Sequence, residues 1–260
     1  MAHLRIATYN IHAGIGADGQ FDPERIARVL SALNADVIAL QEVEHHPHGD
    51  GHLLDFLATE TRMTALDGAT LTRQDRPYGN ALLTRLPVHG VERIDLSLTG
   101  REPRGALDVL LNANGQTVRC IATHLGLSPQ ERRMQTDRLL SRLAHSPADM
   151  EILAGDFNEW FLWGRVLRRL NRHFRPTPAL RTFPARWPLF ALDRIWVHPR
   201  DALKSSAVFR SAEARIASDH LPLIGSLILD RGAREPGPKP AKGDGPKPTS
   251  LLVACLADKS

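Results

Sequence analysis

Short apolar runs that close on a polar residue recur between Leu4 and Leu229, interleaved with stretches of helical periodicity. Leu4 to Tyr9 alternates apolar and polar positions and stops at Asn10, the pattern of a strand. Asp22-Pro23-Glu24-Arg25 opens a helix: Asp22 caps it, Pro23 suits its first turn, and Ile26, Val29, Leu30 and Leu33 share one face. Val37 to Leu40 is continuously apolar, hence a strand buried on both faces, and it delivers Gln41 and Glu42. A loop with His45, His46, His48 and His52 leads into a helix near Leu53–Thr61. Arg76-Pro77-Tyr78-Gly79 predicts a turn before a strand at Asn80–Thr84. Gly105–Leu111 and Thr117–Ala122 predict neighbouring strands joined by Asn112-Ala113-Asn114-Gly115, where Asn-Gly is a hairpin signal. The second of these delivers Thr123 and His124. Ser128-Pro129-Gln130-Glu131 is a capping box opening a helix to about Ala144. Met150–Ala154 predicts the strand that delivers Asp156. A helix from about Trp160 puts Trp163, Val166 or Leu167, Leu170 and Phe174 on one face and arginines on the other. Leu192–Val197 predicts a strand, Ser218-Asp219-His220 a turn, and Leu223–Leu229 the last strand. Buried runs of the parallel type beside a hairpin fit an α/β sandwich with more than one sheet better than a doubly wound sheet.

The chain has 260 residues and 42% hydrophobic content, enough for a sizeable core in one domain over residues 1–230. From about Arg231 the composition turns to Pro, Gly and Lys, and residues 231–260 are expected to form a disordered tail. No apolar run approaches the ~18–20 residues that span a bilayer. The first residues lack the pattern of a signal peptide. Cys120 and Cys255 make no disulfide framework, so a reducing, cytoplasmic setting is expected. A monomer is expected as well. The net charge of +4 conceals an asymmetry: from Trp160 to Arg200 there are nine arginines and one acid, Asp193.

Polar residues recur in one setting, at or beside the end of an apolar strand: Asn10, Glu42, His124, Asp156 with Asn158, Asp193, and Asp219 with His220. A buried strand end is a costly place for an unpaired charge, so their recurrence points to a shared task. Asn10 and Glu42 offer only oxygen ligands, meagre for zinc but suited to magnesium, which keeps several waters. An aspartate orients or deprotonates a water, and histidines donate to phosphate oxygens. The chemistry these residues suit is metal-assisted hydrolysis of a phosphoester.

Seven stretches carry a resemblance: Thr8-Tyr9-Asn10-Ile11-His12, Gln41-Glu42-Val43, Gly79 to Arg85, Thr123-His124-Leu125, Gly155-Asp156-Phe157-Asn158, Leu192-Asp193-Arg194-Ile195 and Ser218-Asp219-His220-Leu221-Pro222. In that order they resemble the endonuclease/exonuclease/phosphatase superfamily, with wording closest to its sphingomyelinase and small bacterial hydrolase branches. The resemblance implies a DNase I-like, four-layer α/β sandwich with two central mixed sheets flanked by helices. It implies Asn10, Glu42 and Asp219 as metal positions for Mg2+, with Mn2+ as substitute. His124, Asp156, Asn158, Asp193 and His220 fall on catalytic positions: Asp156 for the water, Asn158 for phosphate, Asp193 to orient His220. Arg104, Asn80 and Tyr78 fall on substrate-binding positions. The implied activity is a phosphodiesterase acting on a lipid headgroup or small molecule. A DNA or RNA nuclease is the alternative, and an inactive anion-binding module using Arg165–Arg186 is the alternative of another class.

Three weaker features remain. The histidines between 45 and 52 read as a solvated loop rather than a metal site. The arginine-rich segment would attract polyanions, whether nucleic acid or an anionic membrane touched peripherally. Trp160-Phe161-Leu162-Trp163 reads as core, unless part of it is exposed beside the arginines, where it would suit a membrane interface.

Overall fold

A computed structural model describes residues 2–49, 51–145 and 148–229, so the expected tail at 231–260 lies outside the described residues. Its strands are β1 (Ala2–Asn10), β2 (Val37–Glu44), β3 (Pro47–His48), β4 (Gly51–His52), β5 (Thr64–Arg73), β6 (Arg76–Thr84), β7 (Val88–Asp95), β8 (Gly105–Ala113), β9 (Gln116–His124), β10 (Met150–Asp156), β11 (Asp193–His198), β12 (Leu203–Val208) and β13 (Leu223–Leu229). Its helices are α1 (Pro23–Leu33), α2 (Leu53–Thr61), α3 (Pro129–His145), α4 (Arg165–His173) and α5 (Ala214–Ala217), with a 3-10 turn at His12–Gly14.

Two mixed sheets form the centre. One runs β12-β13-β1-β2-β6-β5, the other β11-β10-β9-β8-β7. Alternation along the inner strands sorts side chains into separate cores. Ile6, Val37 and Ala39 meet Val109, Cys120, Ile152 and Ala154 between the sheets. Their neighbours Ala7, Tyr9, Ile38 and Leu40 face outward onto Ile26, Leu30 and Leu33 of α1 and Leu53 and Leu57 of α2. Ile121 and Leu153 face the other way, onto Leu139 of α3 and Val166, Leu167 and Leu170 of α4. The result is the four-layer sandwich. A strand sandwiched between two cores is apolar at every position, as the Val37–Leu40 run requires.

The caps act as read. Asp22 Oδ1 accepts from Arg25 N at 2.8 Å. Ser128 and Glu131 bond each other's backbone amides, at 3.2 and 2.9 Å. Asn114 and Gly115 both take positive φ, at 55° and 85°, between β8 and β9.

Several local expectations fail. Residues 76–79 belong to β6; the turn lies at Gln74 and Asp75, whose φ values of 47° and 64° complete a two-residue hairpin. The helix expected from about Trp160 starts at Arg165, after a loop that leaves Trp160 to Trp163 exposed, so this stretch is not core. Residues 45–52 hold the small β3–β4 hairpin. Three strands, β5, β7 and β12, have no counterpart in the hydrophobic pattern; each is a sheet edge, where much of the strand faces water. Among the described residues no helix is long and apolar enough to cross a membrane.

Candidate active site

Sheet register assembles the site. In the five-stranded sheet Asp156 lies opposite His124 of parallel β9 and opposite Asp193 of antiparallel β11. Three adjacent strand ends therefore present His124, Asp156 and Asp193 side by side. Gly155 makes this approach possible: its φ is +153°, and a Cβ there would stand 1.9 Å from the Thr123 carbonyl oxygen. Any side chain at 155 would push β10 off β9.

In the facing sheet Asn10 of β1 pairs with Gln41 of parallel β2. Next to it β2 slips register against β6 between Leu40 and Val43, and Glu42 takes φ 57°. A non-glycine residue in the left-handed region costs about 1–3 kcal/mol, and such strain recurs at functional sites. The bulge re-aims the Glu42 carboxylate toward Asn10. Asn10 then bridges the sheets: its Nδ2 donates to Glu42 Oε1 at 3.0 Å and to Asp156 Oδ2 at 3.3 Å. The Asn10 side-chain oxygen accepts from His12 N at 3.0 Å, which fixes the amide's orientation.

His220 arrives from the turn before β13. Ser218 Oγ donates to the Asn10 carbonyl at 2.7 Å and accepts from His220 N at 3.2 Å, tying that turn to the end of β1. The His220 ring sits with Nδ1 2.8 Å from Asp193 Oδ2 and Nε2 3.6 Å from Asp156 Oδ2. Thr182 Oγ1 donates to the same Asp193 oxygen at 2.5 Å. Burial alone would push His220 down, but Asp193 and Asp156 prevail and carry it up to about 10. Asp156 moves up from the ordinary carboxylate range: burial and Asp193 raise it, partly offset by His220.

His124 is the opposite case. Arg104 Nη1 lies 3.0 Å from its Nδ1 and Asn158 Nδ2 lies 3.0 Å from its Nε2. Both neighbours are donors, so the ring has no place for a second proton. Burial first and Arg104 second hold His124 well below the ordinary histidine range. Its Nε2 lies 3.6 Å from Asp156 Oδ2 and 4.0 Å from Glu42 Oε1. Asn158, at φ 49°, also donates to Leu125 O at 3.0 Å, and its own backbone amide donates to Asp156 Oδ1 at 2.9 Å.

The structure thus brings together Asn10, Glu42, His124, Asp156, Asn158, Asp193 and His220. Asp219 is half-buried beside them, its Oδ1 3.3 Å from Ser218 Oγ. Tyr78, Asn80 and Arg104 line a narrow cleft that reaches His124. Within it Asn80 Nδ2 donates to the Gly105 carbonyl at 2.9 Å, while Asn80 Oδ1 and Arg104 Nε are buried without a partner among the described residues. Burial first and the Glu42 charge second hold the Tyr78 phenol protonated. The loop histidines do not converge. His45 meets Asp67 at 3.3 Å, His46 meets Glu44 at 3.3 Å, and His48 meets Glu24 at 3.4 Å.

Sequence reasoning missed Thr182 and Phe183. Phe183 packs against the His220 ring at 4.8 Å between centroids. Neither carries a local signal, because both act from an irregular loop that only the fold brings to the strand ends.

The donor set fits a hard divalent ion. Glu42, whose side chain keeps 21% exposure, offers a carboxylate and half-buried Asp219 another; Asn10 turns Nδ2 rather than its oxygen toward Glu42, so it would join them only with its amide turned. A second grouping, Asp156, Asp193 and His220, is also compact enough to hold a metal. There, however, His220 Nδ1 is already engaged by Asp193.

Comparison with known proteins bears on the family and the fold. An uncharacterized protein, YbhP, of Escherichia coli K12 is 31% identical over 248 residues, covering 87% of this chain and 96% of that protein. A crystal structure of an endonuclease/exonuclease/phosphatase from Beutenbergia cavernae superposes with a TM-score of 0.70 at 25% identity, over 87% of this chain and 72% of that one. One from Bacteroides vulgatus superposes with a TM-score of 0.74 at 17% identity, over 88% of this chain and all of that one, a likeness of fold. The model of the endonuclease/exonuclease/phosphatase family matches residues 7–220, from β1 to the His220 turn, and the chain belongs to that family.

Proposed function

We propose that the protein is a magnesium-dependent phosphodiesterase, with manganese able to substitute and with a lipid headgroup or small-molecule diester as substrate. The observation that carries this reading is the Asn10 bridge: one amide touches the Glu42 carboxylate of one sheet and the Asp156 carboxylate of the other. In this reading it puts a residue that would hold the ion beside the residue that would act as base, at the mouth of the sandwich.

The residues divide the work. Asn10, Glu42 and Asp219 would hold the ion, which when bound polarises the phosphoryl oxygen and steadies the leaving oxygen. Asp156, its pKa raised by burial, takes the proton of the attacking water as the new P–O bond forms and the ester P–O bond breaks. His220, kept cationic by Asp193, donates to the phosphoryl oxygens as their charge grows. His124 and Asn158, 3.0 Å apart through Nε2 and Nδ2, flank Asp156 on its other side and would meet the phosphate there, with Arg104 behind His124. The convergence of Asn10, His124 and His220 on the Asp156 carboxylate supports catalysis over passive anion binding.

The test is a panel: purified protein with Mg2+ against a chromogenic phosphodiester, phospholipids, sphingomyelin, DNA and RNA. Metal-dependent cleavage of a diester, abolished in Glu42→Gln, is expected. Full turnover after exhaustive chelation would overturn the metal role, and cleavage confined to DNA or RNA would reassign the substrate.

A further inference from the structure

Two loops stand beside the catalytic mouth, and their apolar side chains face water. The first, between β10 and α4, exposes Phe161, Leu162 at 58% and Trp163 at 70%. The second, before β11, exposes Trp187 at 79%, Leu189 at 60% and Phe190. A monomer rarely exposes a contiguous apolar patch of this kind without a use for it. The loops meet through Trp160, whose ring lies 4.8 Å from Phe190 and 5.9 Å from Phe183. Phe183 in turn packs on His220, so the patch begins at the site itself.

Both loops are held. Gly164 leaves no room for a Cβ beside Glu159, whose carboxylate pairs with Arg132 and accepts from Phe161 N. In the second loop Ala185 N donates to the Asp219 carbonyl at 2.6 Å, and a Phe183–Phe190 bridge closes it. The aromatic tips are therefore presented on anchored loops.

Arginines interleave with the tips. Arg165 and Arg168 follow Trp163 directly, and Arg186 precedes Trp187; all three are exposed. Arg168 donates to the Trp163 carbonyl at 2.7 Å, and Arg215 donates to the Arg186 carbonyl at 3.1 Å, which sets these two guanidinium groups against the backbone of the tips. Exposed tryptophan and phenylalanine interleaved with exposed cations is the composition of an interfacial membrane contact. Leu162 and Leu189 decide against a surface for stacked nucleobases, because an aliphatic tip gains from hydrocarbon and offers no face to a base.

We propose that these two loops dock the protein on an anionic phospholipid bilayer and seat the catalytic mouth at the headgroup layer. This deepens the lipid reading of the site. It rests on that reading only for the identity of the substrate, because docking itself requires no turnover.

The sequence supplies a reporter. Of four tryptophans, Trp160, Trp163 and Trp187 lie on the patch and Trp196 is buried. Full-length protein is titrated with vesicles of phosphatidylglycerol and, separately, of phosphatidylcholine, reading tryptophan emission, quenching by brominated lipid, and co-sedimentation. A blue shift, quenching and sedimentation with phosphatidylglycerol are expected, and much weaker signals with phosphatidylcholine. Trp163→Ser with Trp187→Ser should lose at least tenfold in vesicle affinity while hydrolysing a soluble chromogenic diester at the wild-type rate. Arg165→Gln with Arg168→Gln should lose about fivefold per arginine at low salt. Glu42→Gln should bind vesicles like wild type, separating failure of docking from failure of catalysis. Unshifted emission with no sedimentation on phosphatidylglycerol would overturn the proposal in the wild-type protein, whatever the variants do. Emission quenched by single-stranded oligonucleotide but not by vesicles would assign the loops to nucleic acid and overturn it equally.

Discussion

His124 and His220 face the same carboxylate, Asp156, and both are buried. Burial lowers the pKa of each. What separates them is the partner on the far side of the ring. Behind His124 stands Arg104, a group that only donates; behind His220 stands Asp193, a group that only accepts. One ring is held neutral and the other cationic, a few ångströms from the Asn10 bridge. Depth in the fold sets the stakes of a charge, and the second partner decides which charge is kept.

Removing what the two rings share should have the largest effect. Asp156→Asn deletes the base and the carboxylate common to both, and turnover should fall about 10²–10⁴-fold, read as kcat on a chromogenic diester. Breaking the cationic side comes next. His220→Ala should cost about 10²–10³-fold, the loss typical of one transition-state donor. Asp193→Asn should cost less at low pH and progressively more as pH rises, because His220 then sheds its proton earlier. If the pair acts as a unit, the double variant is about as slow as His220→Ala alone. Losses that multiply would give Asp193 a separate job. The neutral side should be more forgiving: Arg104→Gln should raise the His124 pKa and lower kcat about tenfold, as loss of an orienting partner does.

The smallest effect lies in stability. In the metal-free protein the folded pKa of His220 exceeds its ordinary 6.5 and reaches about 10, so its contribution is complete below 6.5 and is lost as pH rises toward 10. Asp156, also raised, binds its proton more tightly when folded, so its ionisation above the ordinary 3.8 costs stability too. Both slopes have the same sign, but His124, held well below 6.5, contributes the opposite slope up to that pH, so the melting temperature of chelated protein should decline above pH 6.5, where His220 alone of the three still titrates. His220→Ala should flatten the upper part of that decline.

The charge contrast was legible in the sequence only in part. The strand ends that carry Asn10, His124 and Asp156 follow apolar runs, and a run buried on both sides is hard to misread. Asp193 behind His220 came from the Leu-Asp-Arg-Ile motif. Arg104 behind His124 did not: it lies in a loop twenty positions away, and only the β8–β9 hairpin returns it to the ring. Glu42 was legible as a residue but not as a bulge, because left-handed backbone at a glutamate has no sequence signature. The edge strands β5, β7 and β12 were invisible for the converse reason, since water on much of their surface erases the apolar pattern. Trp160 to Trp163 misled because an aromatic run normally signals core; here the loop ends before α4 can bury it.

The account turns on one site holding a charged and a neutral histidine together. Ring nitrogen chemical shifts of 15N-histidine-labelled, chelated protein, assigned with His124→Gln and His220→Gln, measure this directly. The account predicts that at pH 7.5 His220 shows two protonated ring nitrogens while His124 shows one. Two rings titrating together near pH 6.5, or a neutral His220 at pH 7.5, would contradict it.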